Sequence, residues 1–586
     1  MLNNIIYNHI RKDLFKATKI KKVVYYSMFK GGFKMSTVKL NLKNIGTIDI
    51  KEGTTAFEIV KEYYSYVDIP IVLAKVNNDY VELREPIEKE GNFEPITIED
   101  TIGNRTYSRT VQFIFIKAVY DLFKDCKVVI EHSLDKGIYG EIHKEKALDQ
   151  EDIKAINRRM QEIIDADIII EKSRVDVDKA IDIFDDYGLE DKKRLLRNIN
   201  KKDVTLYNIQ GRYDYFFGFL AHSTGAIKNF QVMFYDPGFL IRFPREENPR
   251  NILPFVEHKK LNSIFKETEE WLDILNVADV GALNEKILNG NANELIMVTE
   301  ALHEKKIANI ADMIKEKNEV KVVLIAGPSS SGKTTFANRL SVQLRVNGLI
   351  PIAISLDDYF VDRDKSPRDE NGELDFESIY ALDLELFNKD LVMLMEGKEV
   401  EIPTYNFKSG TRQWLGHKIK LPQNGVLVIE GIHGLNNMLT SSIQSKNKFK
   451  IYISALTQLN LDSHNRIATT DVRRIRRIVR DFLSRGYGGE TTLNMWPSIR
   501  RGEEKNIFIF QEEADIMFNS TLVYELCILK KYALEELKKI SPTSSAYYEA
   551  TRLISFLNLF KDIDKELVPS NSILREFIGG SIFYKY

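Results

Sequence analysis

The chain has 586 residues, of which 44% are hydrophobic and 29% are charged, and its formal net charge is -2. At roughly 150 residues per domain this length predicts three or four domains, and the balanced charge gives no global basic field for nucleic acid. Cys126 and Cys527 are the two cysteines of the sequence. They exclude a disulfide framework and a cysteine-rich zinc module, and we expect a reducing compartment, the cytoplasm.

Residues 1–34 are basic but lack the uninterrupted apolar core and the small-residue cleavage site of a secretory signal. We expect a poorly ordered extension there. A transit peptide is the alternative, and Met35 is a candidate natural start because regular patterning begins just after it. No apolar stretch of the sequence approaches the ~20 residues that a membrane span requires.

Residues 35–100 are predicted to form a small α+β domain. "TVKLNL" and "GTIDI" alternate like two strands of a hairpin, and "TTAFEIVKEYY" has helical spacing with Thr54 or Thr55 as its N-cap. "IVLAKVNNDYVEL" predicts a strand, a turn and a strand, and "EPITIED" closes the domain near Asp100.

Two further regions precede the last part of the chain. Residues 101–250 mix helices such as "DQEDIKAINRRMQEIIDA" with short strands such as "CKVVIEHSL" and "FQVMFYDPGFLIRF". Residues 251–320 have the pattern of amphipathic helices. We expect a helical connector with its own packing there, and not a flexible linker, because Pro and Ser are scarce.

Residues 321–586 alternate strand and helix, which predicts a parallel sheet with helices on both faces. The predicted strands are "VKVVLIA", "PIAISLDD", "GVLVIEG" and "KFKIYISA". The fold class that we predict is therefore multidomain α/β, in which two α+β domains precede the parallel sheet.

The stretch "GPSSSGKT" matches G-x-x-x-x-G-K-S/T in full, between a predicted strand and a predicted helix. Its glycines let successive N–H groups turn toward phosphate oxygens, and the helix N-terminus favours negative charge. Lys333 would reach the outer phosphates, and the Thr334 hydroxyl would bind Mg²⁺. The ATP-binding residues predicted here are Gly327, Pro328, Ser329, Ser330, Ser331, Gly332, Lys333, Thr334 and Thr335.

Carboxylates follow two of the predicted strands. Asp357 and Asp358 end "PIAISLDD", where the carboxyl ends of strands border the ligand crevice of an open sheet. A carboxylate there can accept the proton of an attacking hydroxyl, which contributes roughly 10²–10⁴-fold to a rate, while a helix cap is the structural alternative. Glu430 ends "GVLVIEG". We expect it to have a metal-linked role because an unpaired buried carboxylate is costly, and a satisfied turn carboxylate is the alternative.

The segment "DVRRIRRIVRDFLSRGYGG" concentrates arginines on one predicted helix and its exit. Like charges at i, i+3 and i+4 repel unless an anion lies between them, and a triphosphate is such an anion. A mobile arginine lid would stabilise the transferring group, with Gly486, Gly488 and Gly489 as its hinge. An arginine face for RNA or an acidic protein is the alternative. The arginines are Arg473, Arg474, Arg476, Arg477, Arg480 and Arg485.

These motifs, with "DFESIYALD" and "PTYNFKSGTR", stand in the order of the uridine kinase and phosphoribulokinase group of P-loop kinases, which the chain resembles from Lys321 to about Glu525. The resemblance implies ATP- and Mg²⁺-dependent transfer to a hydroxyl, which in uridine kinase is the sugar 5′-hydroxyl. By this resemblance the catalytic residues are Asp357 as general base, Lys333, Arg477 and Arg480, and Arg485 joins the ATP-binding residues. The implied substrate contacts are Asp357, Glu377, Tyr405, Arg412 and Arg477, and the implied metal ligands are Thr334 and Glu430.

The substrate side departs from the family pattern. Gly410 stands where the family has a base-contacting histidine, Tyr487 replaces a further lid arginine, and Glu377 is one methylene longer than the family's aspartate. Losing a hydrogen-bond donor to the substrate can cost roughly 10⁴ in selectivity. Phosphoryl transfer to an alcohol therefore carries over better than uridine as the acceptor, and a sugar phosphate or a polyol is the alternative acceptor.

The front half resembles threonyl-tRNA synthetase. "EGTTAFEIV" and "LAKVNNDYVEL" resemble its ubiquitin-sized TGS domain, and "IEHSLDKGIYGEI" and "HSTGAIKNFQV" resemble its editing domain. The editing domain uses an H-x-x-x-H pair and a C-x-x-x-H pair, and the corresponding positions here are Arg109, Phe113, Phe216 and Leu220. We expect neither metal binding nor editing there, since His132 and His222 alone do not rebuild the site. No class II synthetase core follows, so we do not expect tRNA charging.

The predicted function is a small-molecule kinase that uses ATP and Mg²⁺, with a nucleoside as the leading acceptor and a front half that regulates or oligomerises. An ATP-gated RNA-binding or translation-factor-binding protein is the alternative, in which the phosphate loop acts as a switch. The expected partner is a small alcohol. We expect no membrane partner. Nucleic acid would bind only through the N-terminal half, and a homo-oligomer stays an open alternative.

Overall fold

The computed structural model describes residues 37–369, 372 and 374–584. The predictions for residues 1–34 and for Met35 lie outside these residues. Within the described ranges, no helix is both long enough and apolar enough to cross a membrane.

The first unit is a mixed sheet with one described helix packed on it, as the alternating sequence predicted. Its strands are β1 (Thr37–Leu42), β2 (Gly46–Lys51), β3 (Ile71–Val76), β4 (Asp79–Glu82) and β5 (Gly91–Thr97). They stand in the order β2-β1-β5-β3-β4. Helix α1 (Ala56–Tyr63) begins with a capping box, in which Glu58 N donates to Thr55 Oγ1 and Thr55 N donates to Glu58 Oε2. Of the two predicted caps, Thr55 is therefore the N-cap.

The second unit surrounds the long helix α2 (Thr101–Leu122). Its described strands are β6 (Cys126–Leu134), β7 (Gly137–Lys144), β8 (Glu171–Asp176), β9 (Asp203–Ile209), β10 (Arg212–Asp214), β11 (Gln231–Tyr235) and β12 (Gly238–Arg242), and its other helices are α3 (Gln150–Asp165), α4 (Val177–Asp186) and α5 (Glu190–Arg197). The sheets run β11-β12-β7-β6 and β10-β9-β8. β8 was not predicted because its sequence, "EKSRVD", is mostly polar and offers only the partly buried Val175 to a hydrophobic cluster, although its backbone pairs with β9.

The predicted connector does not form a core of its own. Its helices are α6 (Lys259–Leu275), α7 (Val280–Leu288) and α8 (Ala292–Glu316). Leu283 and Ile310 belong to one hydrophobic cluster with Val323 and Phe336 of the following unit. The expectation of separate packing was wrong, because the apolar faces of these helices are covered by the sheet unit that follows them.

The last unit is built on a parallel sheet, as the strand–helix alternation predicted. The described strands are β13 (Val322–Ala326), β14 (Ile350–Ser355), β15 (Glu399–Glu401), β16 (Thr404–Asn406), β17 (Thr411–Gln413), β18 (Lys418–Lys420), β19 (Gly425–Glu430), β20 (Lys448–Ser454), β21 (Asn460–Asp462), β22 (Asn465–Arg466) and β23 (Ile516–Asn519). The parallel sheet has the order β14-β19-β13-β20-β23. Ile325 and Ile451 enter one hydrophobic cluster, and Leu324 and Leu427 enter another, so apolar side chains cover both faces.

Helices flank this sheet and continue beyond it. They are α9 (Lys333–Val346), α10 (Leu384–Met395), α11 (Thr469–Arg480), α12 (Gly489–Asn506), α13 (Glu525–Leu537), α14 (Tyr547–Leu557) and α15 (Arg575–Ile578). The strand β23 and the hairpin β21–β22 were not predicted, because each is too short to show an apolar period. That hairpin leads directly into the arginine-rich helix α11.

A buried polar cluster joins the second unit to the hairpin β21–β22. Lys192 Nζ lies 2.9 Å from Asp214 Oδ1 and 2.8 Å from Asp462 Oδ1, and these side chains are buried. Burial opposes the charge of Lys192, but the two carboxylates hold its pKa above the usual value. Breaking a buried ion pair costs roughly 3–5 kcal/mol, so this cluster fixes the segment before α11 against the N-terminal half.

Candidate active site

The phosphate loop connects the carboxyl end of β13 to the amino end of α9. Ser330 and Gly332 have left-handed backbones, with φ of 61° and 86°. A Cβ at Gly327 would lie 1.9 Å from a backbone carbonyl oxygen of β20, so the loop approaches that strand too closely for a side chain. Lys333 Nζ donates to the carbonyl oxygens of Gly327 (3.1 Å) and Pro328 (3.2 Å). The lysine therefore folds back over the loop.

Glu430, at the end of β19, adjoins the first turn of α9. Its Oε1 accepts hydrogen bonds from Thr334 Oγ1 (3.3 Å) and Ser355 Oγ (3.1 Å). Burial and the charge of Asp357 raise the pKa of Glu430 to about 7, against the opposing charge of Lys333. In the described chain no group of three or more His, Cys, Asp or Glu side chains could hold a metal ion. Mg²⁺ commonly uses one or two carboxylates plus phosphate oxygens and water, so Thr334 and Glu430 fit a Mg²⁺ that arrives with a nucleotide.

Asp357 and Asp358 stand in the 3₁₀ turn that follows β14. Asp358 Oδ1 accepts a hydrogen bond from Tyr405 N (3.1 Å), and burial raises the pKa of Asp358. Asp357 lies near Glu430 and Glu377, since its charge contributes to the raised pKa of both carboxyl groups. The two neighbours therefore differ in surroundings: Asp358 holds the strand that carries Tyr405, and Asp357 lies near two other carboxyl groups of the site.

Glu377 lies beside α12, half-buried as a residue but with its Oε2 atom buried. A Cβ at Gly502 would lie 2.5 Å from the Glu377 side chain, so the glycine makes room for it. Burial and the charge of Glu503 raise the pKa of Glu377 to about 7, while Arg477 and Lys333 oppose the rise. No described residue donates a hydrogen bond to Glu377 Oε2. A buried carboxyl oxygen without a donor is typical of a position that binds a ligand.

Part of the predicted arginine lid is a buried network of ion pairs. Arg473, Arg474 and Arg476 pair with Glu503, Glu549 and Glu525, respectively. The glutamates come from α12, α14 and α13. For these arginines the neutralising anion is thus a carboxylate of the same chain and not a triphosphate. Arg473 Nε and Arg476 Nη1 also donate to carbonyl oxygens of the phosphate loop, Ser329 O (3.1 Å) and Ser330 O (3.4 Å), so these arginines fix α11 against the loop.

The other arginines share one carboxylate. Asp481, in the π-helical turn that continues α11, lies 3.0 Å from Arg477 Nε, 3.0 Å from Arg480 Nη2 and 3.6 Å from Arg485 Nη1. Arg477 Nη1 also donates to Ser329 Oγ of the phosphate loop (2.7 Å). Burial and the neighbouring Arg480 lower the pKa of Arg477 to about 10, which leaves it protonated at neutral pH. Arginines therefore outnumber the carboxylate here, which leaves positive charge beside the phosphate loop.

Tyr405 and Arg412, predicted as substrate contacts, pair across the strands β16 and β17. The Tyr405 ring packs on Phe360 and Phe407, with ring centroids 5.6 and 5.2 Å away. Arg412 Nη1 donates to Asp383 Oδ2 at the start of α10 (2.8 Å). Tyr405 is thus brought next to the turn after β14, whereas the guanidinium group of Arg412 is held by the chain itself.

Two glutamates that the sequence did not predict bind donors of the phosphate loop. Ser329 N donates to Glu503 Oε1 (3.1 Å). Thr335 N and Oγ1 donate to Glu576 Oε2 (3.3 and 3.0 Å), and the Tyr584 hydroxyl lies 2.6 Å from Thr335 Oγ1. The glutamates follow their partners by 174 and 241 residues, so no local pattern reveals them. Thr335 is a predicted ATP-binding residue, and a phosphate oxygen at its N–H group would have to replace the Glu576 carboxylate.

In the second unit, the positions that correspond to the editing ligands pack as a core. Phe113, Phe216 and Leu220 belong to one hydrophobic cluster, and the rings of the two phenylalanines lie 5.0 Å apart. Arg109 Nη1 donates to a nearby backbone carbonyl oxygen (3.1 Å). Side chains therefore fill the space that polar ligands would surround. The two histidines stack on phenylalanine rings elsewhere: His132 on Phe265 and His222 on Phe57.

A parallel sheet with a phosphate loop after its central strand β13, and with carboxylates after the adjacent strand β19 and after β14 at the edge of the sheet, defines a P-loop α/β protein. A family model described as "Phosphoribulokinase / Uridine kinase family" matches residues 322–525. A uridine kinase of Staphylococcus aureus is 30% identical over 180 residues, which are 31% of this chain and 77% of that kinase. The chain belongs to the phosphoribulokinase/uridine kinase family.

The N-terminal region is similar to threonine–tRNA ligases. The ligase of Caldanaerobacter subterraneus subsp. tengcongensis is 28% identical over 207 residues, which are 35% of this chain and 32% of the ligase. The chain thus spans about a third of that protein's length. Among solved structures, a possible uridine kinase from Bacillus stearothermophilus is 23% identical with a TM-score of 0.23, over 34% of this chain and 89% of that one.

Proposed function

We propose that this protein is an ATP- and Mg²⁺-dependent kinase that transfers the γ-phosphoryl group to a hydroxyl of a small molecule. The observation that carries the proposal is that Asp358 is engaged by Tyr405 N, whereas Asp357 lies near Glu430, whose Oε1 accepts a hydrogen bond from Thr334 at the end of the phosphate loop. A base beside the phosphates suits the deprotonation of a second substrate. Membership of the family supports the same chemistry.

In the proposed reaction, the Asp357 carboxylate accepts the proton of the acceptor hydroxyl. The acceptor oxygen forms a bond to the γ-phosphorus, and the bond between that phosphorus and the β–γ bridging oxygen breaks. ADP leaves with the electron pair of the broken bond, and the proton passes from Asp357 to solvent. A base in this position contributes roughly 10²–10⁴-fold.

The remaining site residues would stabilise the negative charge of the phosphates and of the transferring group. Lys333 would hold the outer phosphates, and Arg477 and Arg480 would stabilise the charge that develops on the transferring group. Mg²⁺ bound by Thr334 and Glu430 would neutralise charge between the β- and γ-phosphates. Arg477 already contacts the phosphate loop through Ser329 Oγ, so it needs only a small movement to reach a phosphate. The hinge at Gly486, Gly488 and Gly489 stays a prediction.

A nucleoside is the acceptor that we propose, phosphorylated on its 5′-hydroxyl. The rings of Tyr405 and Phe407 suit a planar base, because bases stack on aromatic side chains. Glu377 Oε2, which receives no hydrogen bond from the described residues, suits the hydroxyls of a ribose. A sugar phosphate or a polyol is the alternative acceptor, and it would use the same Asp357.

The test is ADP formation with Mg·ATP and a panel of nucleosides, pentose phosphates and polyols. We expect at least one nucleoside to raise ADP release about tenfold or more above the rate without acceptor. The product should gain the mass of one phosphoryl group. A panel in which no compound raises ADP release contradicts the kinase proposal. A response to pentose phosphates or polyols alone contradicts only the nucleoside part.

For the N-terminal half, we propose that residues 35–100 and 101–250 act as a frame for a kinase domain over residues 321–586, with residues 251–320 as the connector. Two contacts support this frame. Lys192 contacts Asp462 just before α11, and Arg105 Nη1 lies 3.4 Å from Glu549 Oε2, whose residue also pairs with α11. The alternative, RNA binding, is tested by titration at two salt concentrations, where tight binding with a steep salt slope would support it.

A further inference from the structure

Gly410 has no room for a side chain. Its backbone is left-handed, with φ of 71°, and a Cβ there would lie 2.7 Å from Arg363 Nε and 2.9 Å from Arg363 Cζ. Gly410 O accepts a hydrogen bond from Arg363 N (2.8 Å), and Phe407 O accepts one from Arg363 Nη2 (2.6 Å). The guanidinium group of Arg363 therefore occupies the space that a side chain at position 410 would fill.

Arg363 offers hydrogen-bond donors that no carboxylate of the described chain uses in an ion pair. The carboxylates nearby already accept hydrogen bonds: Asp358 from Tyr405 N (3.1 Å), Asp362 from Arg412 N (3.1 Å) and Asp383 from Arg412 Nη1 (2.8 Å). A guanidinium group has five N–H donors and no acceptor, and Phe407 O occupies one donor group. The Tyr405 side chain accepts a further hydrogen bond from Arg363. Arg363 is exposed, so its remaining donors are open to a ligand.

An exposed aromatic surface adjoins Arg363. The Phe407 side chain is 54% exposed, and its ring lies 5.2 Å from the Tyr405 ring. The Arg485 guanidinium carbon lies 5.9 Å from the Phe407 ring, and the charge of Asp357 acts on Arg485. Phe407 thus contacts Arg363 through its carbonyl oxygen and lies beside Arg485, on which the charge of Asp357 acts. A base stacked on Phe407 would present its edge to Arg363 while its sugar extends toward Asp357.

We propose that Arg363 selects the acceptor base by donating hydrogen bonds to a carbonyl oxygen at the base's edge. The inference rests on the proposed function, because it requires a nucleoside as the acceptor. Uracil presents a carbonyl oxygen where cytosine presents an amino group, and hypoxanthine and adenine differ in the same way. The donors of a guanidinium group pair with the carbonyl but meet further donors on the amino group. The acceptors selected are therefore nucleosides with keto bases.

The experiment is a steady-state comparison of two matched pairs, uridine with cytidine and inosine with adenosine, using the full chain and Mg·ATP. We expect kcat/KM to favour the keto member by about tenfold or more in each pair that is accepted. Equal kcat/KM within a pair, or preference for the amino member, overturns this inference and leaves the kinase proposal standing. If none of the four nucleosides raises ADP release, the inference is overturned together with the nucleoside part of the proposed function.

Two substitutions of Arg363 and one control at Lys408 separate hydrogen-bond chemistry from charge. Arg363→Gln offers both an N–H donor and a carbonyl acceptor, so we expect the keto/amino ratio to fall to about two or less. Arg363→Lys still only donates, so the preference should keep its direction. Lys408→Gln removes one exposed positive charge from the same region and should keep the wild-type ratio. An unchanged ratio in Arg363→Gln, or an equal loss in Lys408→Gln, overturns the role of Arg363.

Discussion

The hydroxyl of Thr334 donates a hydrogen bond to Oε1 of Glu430 across 3.3 Å. Thr334 lies in the first turn of α9 and Glu430 ends β19, so this contact joins the helix N-terminus to the strand beside it. The carboxyl ends of parallel strands meet at one edge of a sheet, where ligands bind in open α/β folds. The same edge carries Asp357 after β14, and it therefore gathers the phosphate loop, a prospective Mg²⁺ site and the proposed base.

The neighbouring aspartates give a matched pair of variants. We expect Asp357→Asn to keep ATP binding but to lose roughly 10²–10⁴-fold in turnover, because an amide cannot accept the hydroxyl proton. Asp358→Asn keeps an oxygen for Tyr405 N, so it should lose far less. ATP binding by calorimetry and ADP release should be measured on both variants. Near-normal turnover in Asp357→Asn would move the base to another residue.

The raised pKa values of Glu377 and Glu430 predict a pH-dependent stability. Burial raises both from 4.5 to about 7, so the folded protein holds these protons more tightly than the unfolded chain does. Their contribution to stability is therefore present below about pH 4.5 and lost as the pH rises through about 7. Glu377→Gln removes that loss, and we expect its free energy of unfolding to exceed that of the wild type at pH 8 by on the order of 1–3 kcal/mol.

The check is the melting temperature of wild type and Glu377→Gln, measured without ligand at about pH 5 and about pH 8. The difference between the two proteins should be small at the lower pH and should grow at the higher one. An exposed control, Glu566→Gln, should show no such growth. A difference that is the same at both pH values would contradict the raised pKa of Glu377.

The arginines of α11 should separate into two groups. Arg476→Gln leaves the buried Glu525 carboxylate unpaired, so we expect a loss of stability of roughly 3–5 kcal/mol. Arg480→Gln leaves Asp481 with Arg477 and Arg485 as partners, so the fold should tolerate it while kcat falls roughly 10²-fold. Thermal melting and single-turnover rates distinguish the two effects. If Arg480→Gln lowers stability as much as Arg476→Gln does, Arg480 acts only in packing.

Glu576 should compete with the nucleotide. Its carboxylate accepts from Thr335 N and Oγ1, donors that a phosphate would use, and its charge repels phosphate. We expect Glu576→Gln to bind ATP several-fold more tightly than the wild type does, because the neutral amide is the weaker competitor. The dissociation constant can be measured by calorimetry, with Glu566→Gln as the exposed control. Unchanged or weaker binding in Glu576→Gln would show that the carboxylate does not compete.

The fold was predictable where the pattern is local. β6, with "CKVVIEHSL", and β13, with "VVLIA", follow from apolar runs, and α1 follows from Thr55 and Glu58. β8 was not predicted because its mostly polar side chains show no apolar pattern, and the strand is defined mainly by its backbone pairing with β9. The packing of α6, α7 and α8 on the parallel sheet could not be inferred either, since an amphipathic sequence shows that a helix has an apolar face but not which element covers that face.

The candidate site divides in the same way. The phosphate loop, Asp357 and Glu430 come from motifs at strand ends, and the sequence suggested them before the structure did. Glu503, Glu576 and Arg363 have no motif, because each acts on a residue that is distant in sequence. The carboxylate partners of Arg473, Arg474 and Arg476 likewise lie on helices that follow later in the chain, so no local pattern pairs them with these arginines. Spacing alone therefore could not tell the arginines paired with buried glutamates from those that share Asp481.

A single-turnover experiment with ATP labelled radioactively in its γ-phosphate would show directly where the phosphoryl group goes. With Mg²⁺ and uridine, we expect the label to appear on the nucleoside with wild-type protein. With Asp357→Asn we expect this transfer to be slower by a factor of at least roughly 10². Chromatography of the products measures both outcomes. Label that appears only as inorganic phosphate, with every nucleoside, pentose phosphate and polyol offered, would contradict transfer to a hydroxyl.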